Sequence, residues 1–221
     1  MSRELVLAIE TSISSGSLSI LEGPSEIDFW IGSNDSPRSE DLLSNIAKLL
    51  SKNGINKSEI TKIAVSMGPG SFTGVRVGIA TAKGLAYSLN CKCIFVQLLE
   101  AMTLGVQSTE NTIAAFAVAE GEICWQVFET DSKNQTRSRS NPKIGLIKDF
   151  MSDLNTHSVK SLAITESLNK RFSESEPSLN FGDYASVNIV YNPARQIGLK
   201  SSEITLTEVA SPIYIRNAGI I

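Results

Sequence analysis

Residues 66–78 read Ser-Met-Gly-Pro-Gly-Ser-Phe-Thr-Gly-Val-Arg-Val-Gly, with glycines at Gly68, Gly70, Gly74 and Gly78. A glycine-rich turn after an apolar strand brings bare backbone close to an anion or to another chain. Three phosphate sites can be tested against this spacing. A P-loop requires G-x-x-x-x-G-K-[ST], but Thr73 stands where its second glycine should be, so it fails. A dinucleotide fingerprint requires G-x-G-x-x-G, and Gly74 comes one residue too late. A simpler anion site at a helix N-terminus survives: N–H groups around Gly70, Ser71 and Gly74 with Arg76 nearby.

Other chemistry is narrowed by counting. The chain holds a single histidine, His157, which cannot build a His-rich zinc site or an H-E-x-x-H motif. No G-x-S-x-G elbow supports a Ser-His-Asp triad through it. Cys91 and Cys93 are too close for a C-x-x-C pair and read as ordinary strand cysteines. No catalytic residue and no metal ligand is assigned.

The segment after the turn carries a second signal. Gly70, Gly74, Gly78, Ala82 and Ala86 recur every four residues, so on a helix most of them form a stripe of small side chains. Glycine inside a helix costs about 1 kcal/mol relative to alanine. Gly78 and Gly84 therefore call for a compensating close contact. That contact is either the chain's own sheet or the helix of a partner, and the spacing serves both.

The elements that position these residues follow from periodicity. Glu4–Glu10, Ser17–Leu21 and Glu26–Ile31 read as three strands, followed by a loop at Ser33–Ser36 and a helix start at Ser36-Pro37. Glu40–Lys52 has a helical period closed by Asn53-Gly54. Lys62–Met67 is a buried strand, Thr73–Leu89 a helix, Cys93–Gln97 a strand and Leu98–Gln107 a helix. A second unit restarts near Asn111 with a hairpin of Thr112–Ala119 and Ile123–Glu129. Asp131–Asn141 reads as a loop or solvated edge, Ile144–Leu154 as a helix and Ser161–Thr165 as a strand. Leu168–Asn180 gives no firm signal, Ala185–Gly198 is ambiguous, and Val209–Arg216 looks extended. The order predicts an α/β chain of two similar units, residues 1–108 and 109–221, each a mixed sheet flanked by helices.

Bulk composition fits this. The 221 residues are 42% hydrophobic and carry net −3, a balance that argues against a dedicated nucleic-acid binder. No apolar run reaches the ~20 residues of a membrane span. The N-terminal residues lack the pattern of a signal peptide, and three cysteines make an odd count, so a cytoplasmic setting is expected.

The run Gly68-Pro69-Gly70-Ser71-Phe72-Thr73-Gly74-Val75-Arg76-Val77-Gly78, continued by Ala80-Thr81-Ala82-Lys83-Gly84-Leu85-Ala86, resembles the signature of the bacterial TsaB (YeaZ) family. Leu7–Ser12, Ser39-Glu40-x-Leu42-Leu43, Leu99-Glu100-Ala101 and Pro212-x-Tyr214-x-Arg216 support it. The match is good over residues 5–105 and weak beyond. It departs from the family pattern at Arg38, where His is common, at Val118-Ala119-Glu120, where Asp-Ala-Arg is common, and at Glu10, where Asp is commoner.

The resemblance implies an actin-like ATPase (ribonuclease H-like) fold and a partner role. TsaB-like proteins are non-catalytic paralogues of TsaD, with which they pair through N-terminal helices. With a TsaE ATPase they support threonylcarbamoyl transfer to the adenosine beside the anticodon of ANN-decoding tRNAs. The expected interface is Leu42, Leu43, Ile46, Gly74, Val75, Gly78 and Ala82. The set expected to face an anion or nucleotide is Glu10, Thr11, Ser12, Gly70, Ser71 and Arg76. No tightly bound cofactor is expected, and ATP or ADP would sit at the interface with the TsaD-like partner. tRNA is met only through the complex, no membrane is involved, and the isolated chain is expected to form a homodimer. The competing class is a standalone metallopeptidase or ATPase of the same superfamily. ATP turnover by the purified chain, lost in Glu10→Ala, would establish it. On the interface expectation, Gly78→Leu abolishes partner binding in pull-down with the fold intact, whereas a collapsed fold supports packing within the chain.

Overall fold

Leu5–Glu10 is apolar up to its final residue because it lies in the middle of a sheet, buried along its whole length. The computed structural model describes residues 4–13, 16–32, 41–106, 111–118, 121–130, 136–175, 181–204 and 212–214. This strand, β1, pairs antiparallel with β2 (Ser17–Glu22), which pairs antiparallel with β3 (Ser25–Ile31). On its other side lie β4 (Lys62–Ser66) and β5 (Lys92–Val96), both parallel, for an order β3-β2-β1-β4-β5. Two helices, α1 (Leu42–Lys52) and α2 (Phe72–Leu89), cover one face. Leu42, Ile46, Leu49 and Leu50 of α1 and Val75, Ile79, Ala82 and Ala86 of α2 pack there on Leu5, Leu7, Ile9, Ile20, Ile63 and Val65. A short helix α3 (Leu98–Met102) follows β5.

The other unit repeats the pattern. β6 (Asn111–Ala117) pairs antiparallel with β7 (Glu122–Thr130), and β7 with β8 (Thr136–Ser138). Next come β9 (Lys143–Leu146), which also pairs with β7, then α4 (Ile147–Thr156), β10 (Ser161–Thr165), α5 (Glu166–Ser175) and β11 (Ser186–Val190). β10 lies parallel to β6, and β11 to β10, so the order β8-β7-β6-β10-β11 matches that of the first sheet. Phe150 of α4 stacks on Phe172 of α5 at 5.6 Å and meets Trp125 of β7 edge-on at 5.7 Å. Trp125 Nε1 donates to Asp153 Oδ2 at 2.8 Å, which satisfies the indole as it is buried.

Several boundaries differ from expectation. The polar stretch 131–141, expected as a loop or solvated edge, is an edge in part: it contains the edge strand β8, held by Gln126 Nε2 donating to Ser138 Oγ and the Ser140 carbonyl, both at 2.7 Å. The helix expected from Ile144 starts at Ile147, after an extra strand. The stretch without a firm signal forms α5 over its first part. The division of the chain also changes. The units are residues 1–101 with 192–221, and residues 102–191, in place of a break at 108/109. The last helix, α6 (Pro193–Lys200), returns to the first sheet and packs on β1, β2 and β4. Its start is fastened by Asn192 Nδ2 donating to Glu26 Oε1 (2.7 Å) and by the Ala194 N–H donating to Ser17 Oγ (3.0 Å).

One charged contact ties β3 to the end of α1. Asp28 accepts from Lys52 Nζ at 2.7 Å and from Asn53 Nδ2 at 2.8 Å. The Lys52 hydrogen bond, then that of Asn53, holds its carboxyl down at about 2, against an ordinary 3.8. A depressed carboxylate stabilises the fold above its unfolded value and loses that contribution as pH falls through its folded value. Asp28→Asn is expected to lower Tm by roughly 1–3 °C at neutral pH, because exposed pairs are weak. The gap to the parent should close between about pH 4 and pH 2 in thermal melts; a gap independent of pH would contradict the pairing.

Candidate functional site

The glycine turn and α2 are bound to the end of β1. Thr11 Oγ1 donates to the Gly74 carbonyl at 2.7 Å, and the Ser71 N–H donates to the Ser12 carbonyl at 2.8 Å. Ser71 caps α2 by accepting from the Gly74 N–H at 3.4 Å. A Cβ on Gly74 would run into the Thr11 carbonyl, and one on Gly78 into Thr11 Oγ1. The four-residue stripe is thus spent inside the chain, where it lets α2 lie directly on β1 and β4.

This changes the expected interface. Leu42, Ile46, Gly74, Val75, Gly78 and Ala82 are all buried in the first unit's own core, and of these only Ile46 reaches the wall of a groove. Leu43 alone of the expected set faces out, at 59% exposure. The period of four was legible, but it does not say which way the face points.

The outward face of α2 is made by other residues: Thr73, Arg76, Ala80, Lys83, Gly84 and Tyr87 are exposed, Tyr87 at 91%. No heavy atom of the described residues, the helix's own nearby backbone aside, lies within 4 Å of where a Gly84 Cβ would sit. Among the described residues, nothing packs on Gly84 to compensate the helix cost of glycine. Beside this face, a groove of about 520 Å³ runs between α1 and α2. Leu43, Ile46 and Leu50 form one wall, Leu85 and Leu89 the other, with Leu7 of β1 also lining it. The sequence analysis did not single out Leu85, Leu89, Lys83 or Tyr87. The signal available was helical phase: Lys83 and Tyr87 fall away from the glycine stripe, and Leu85 and Leu89 on its flank.

The residues expected to face an anion converge, all but one. Glu10, Thr11, Ser12, Gly70 and Ser71 meet at the ends of β1 and β4, and their groups serve the chain itself. Glu10 is buried, and its Oε1 accepts from the Ser12 N–H (2.6 Å), the Ile13 N–H (3.2 Å) and Ser12 Oγ. A Cβ on Gly70 would strike Ser12. Arg76 points elsewhere: its guanidinium lies 3.6 Å over the Phe72 ring, and its Nε donates to the Tyr214 hydroxyl at 3.3 Å. Tyr214 reaches it because residues 212–214 lie along the glycine turn. The Ile213 N–H donates to the Met67 carbonyl at 2.8 Å, and Tyr214 bridges to Gly70.

The thiols are poor nucleophiles. Burial pushes Cys124 up to about 12; burial, then the neighbouring Cys91, takes Cys93 to about 11. Among the described residues, no group of three His, Cys, Asp or Glu could hold a metal ion, and no helix is long and apolar enough to cross a membrane.

Known proteins place this geometry. Residues 36–134 match the family described as "TsaD: tRNA N6-adenosine threonylcarbamoyltransferase". The Escherichia coli (strain K12) tRNA threonylcarbamoyladenosine biosynthesis protein TsaB is 29% identical over 130 residues, which cover 57% of this chain and 55% of that one. A Pseudomonas aeruginosa structure described as similar to peptidase YEAZ superposes with a TM-score of 0.62 at 19% identity, covering 94% of this chain and all of the other. Over its first half the chain is thus similar in sequence to TsaB proteins and to the TsaD family, and it shares its fold with YeaZ structures. In sequence, it aligns to about half the length of that curated relative. The fold is shared more widely: an Arthrobacter polyphosphate/ATP-glucomannokinase superposes with a TM-score of 0.56 at 11% identity, over 90% of this chain and 98% of its own. The architecture is the actin-like one, with two mixed sheets of the same strand order.

Of the departures from the TsaB pattern, Arg38, Ala119 and Glu120 lie outside the described residues, as does Arg216. Val118 closes the β6–β7 hairpin, its N–H donating to the Glu122 carbonyl at 2.8 Å and its carbonyl accepting from Arg171 Nη2 at 2.8 Å.

Two substitutions separate the faces of α2. Gly78→Leu is expected to unfold the chain or lower Tm by more than about 10 °C, since it overpacks a filled contact. Gly84→Ala should raise Tm by about 2–4 °C through helix propensity alone. A stable Gly78→Leu, or a destabilised Gly84→Ala, in thermal melts would reverse the assignment of inner and outer faces.

Proposed function

We propose that this chain is a non-catalytic subunit that docks on a TsaD-like threonylcarbamoyltransferase and activates it. The reaction served is threonylcarbamoyl transfer to the adenosine beside the anticodon of ANN-decoding tRNAs. A TsaE-like ATPase completes the system, tRNA is engaged only by the assembled complex, and ATP or ADP belongs at the interface with the partner. The name of the E. coli relative, a tRNA threonylcarbamoyladenosine biosynthesis protein, supports the pathway.

The observation that carries the docking role is the α1–α2 groove together with the outward face of α2. The groove is apolar, and Leu43 at its edge is exposed. Gly84 offers close approach to whatever lies on α2. A partner helix laid along α2 would place its apolar side chains in the groove, the helix-in-groove mode of recognition. The same surface accounts for self-association of the isolated chain, since an apolar face of this kind favours being covered.

An active-site role for Glu10 draws less support. Its Oε1 takes two backbone N–H groups and one hydroxyl of its own turn, which is the pattern of a carboxylate that holds a loop.

The test is the double variant Leu43→Asp with Gly84→Leu. Both positions face out, so Tm should stay within about 3 °C of the parent. Affinity for the TsaD-like subunit of the same organism should fall by at least ~100-fold, as expected for truncating or filling the centre of an interface. Unchanged affinity in titration calorimetry would remove this face from the interface. Light scattering on the same variant reports whether self-association uses the same surface.

A further inference from the structure

The outward face of α2 is also charged, and its charges are of one sign. Arg76 and Lys83 are the charged residues of the helix, which contains no Asp or Glu. Both are exposed. Neither forms an ion pair with a described residue; each is held against an aromatic ring. The Arg76 guanidinium lies 3.6 Å over Phe72, and Lys83 Nζ lies 5.4 Å from the Phe95 centroid. In a chain of net −3, two cations held in place with no carboxylate paired to them among the described residues form a local positive face.

Arg76 is the better organised of the two. Stacking on Phe72 and the Nε bond to Tyr214 fix the plane of the guanidinium. Its Nη1 and Nη2 make no hydrogen bond to a described residue, so the end of the fork is presented to solvent. A fixed fork loses little rotamer freedom when it binds, and its geometry suits the two oxygens of a carboxylate.

Arg76 and Lys83 are seven residues apart, so they stand about 10 Å apart along the axis. Ala80 lies between them, Gly84 follows Lys83 directly, both small residues share the exposed face, and Gly84 leaves open space. Two cations about two turns apart, with small residues alongside them, are the complement of a helix bearing two acids at the same spacing.

We infer that the outward face of α2 takes an acidic helix of the partner, with Arg76 binding one carboxylate end-on and Lys83 a second. This rests on the docking role proposed above and adds the chemistry of the partner surface. Tyr214 is a positioning residue: it holds Arg76 through Nε and so makes residues 212–214 part of the docking surface. A nucleic-acid backbone is the competing occupant. The small residues beside the cations, Ala80 and Gly84, favour close approach of a helix over base stacking.

The probe is the purified TsaD-like subunit of the same organism, titrated at low and high salt. Arg76→Glu with Lys83→Glu should weaken binding at least ~30-fold at about 50 mM salt, and the gap should shrink at about 500 mM, where the Debye length falls to a few ångströms. Arg76→Lys, which keeps the charge and loses the fork, should lose roughly fivefold to tenfold. Tyr214→Phe should weaken binding less than Arg76→Lys but in the same direction.

Binding of the Glu/Glu variant within twofold of the parent, with the same salt dependence, would overturn the inference. If the Leu43→Asp, Gly84→Leu variant still failed to bind in that case, the docking role would stand and only its charge chemistry would fall. No binding by the parent chain would overturn both. A tRNA transcript is the second probe. If the Glu/Glu variant loses tRNA and keeps the protein partner, the occupant is nucleic acid and the acidic-helix assignment is wrong.

Discussion

The contact between Thr11 and the Gly74–Gly78 stretch decides how the rest of the first unit is used. Thr11 Oγ1 bonds the Gly74 carbonyl at 2.7 Å, and neither Gly74 nor Gly78 has room for a Cβ. A helix held this close to a strand end cannot rotate without forcing a side chain into backbone. Its orientation is therefore fixed, with Val75, Ile79, Ala82 and Ala86 turned to the sheet and Arg76, Ala80, Lys83, Gly84 and Tyr87 turned out. The groove follows, because its two walls are the flank of α1 and the flank of a helix whose rotation is set elsewhere. The placement of Arg76 follows as well, since Phe72 and the Gly70–Tyr214 bridge belong to the same turn.

Much of this was legible in the sequence where the pattern was strong. The apolar run of β1, the helical period of α1 and the β6–β7 hairpin each carry a periodicity with one interpretation. The glycine motif carried the resemblance to TsaB proteins and located the helix. The facing of the stripe was not legible, because small residues at intervals of four make a helix approachable without saying by what. Six of the seven expected interface residues proved to be core for that reason. Glu10, Thr11, Ser12, Gly70 and Ser71 meet in contacts within the chain, while Arg76 turns to Tyr214, which is 138 residues away and gives no local signal.

The second half was harder for physical reasons too. α6 is short, starts at Pro193, and buries Ala194 and Ile197 beneath residues that also suit a strand. Its identity is fixed by long-range contacts, such as Asn192 with Glu26 and Lys200 with Glu100 at 3.0 Å. β8 is three residues long and is held largely by side-chain hydrogen bonds from Gln126. Elements of that size are set by tertiary context more than by propensity. The repeated strand order of the two sheets is visible only once pairing is known, since the two halves share topology without shared motifs.

The central claim is that α2 has one face committed to its own sheet and one free for a partner. Hydroxyl-radical footprinting of the chain alone and with the TsaD-like subunit tests it directly, because Tyr87 is 91% exposed on that outer face and Tyr191 is 60% exposed in the other unit. Labelling of Tyr87 and Leu43 should drop at least severalfold in the complex while that of Tyr191 stays constant. Complex formation with Tyr87 and Leu43 labelled as in the free chain would contradict the account.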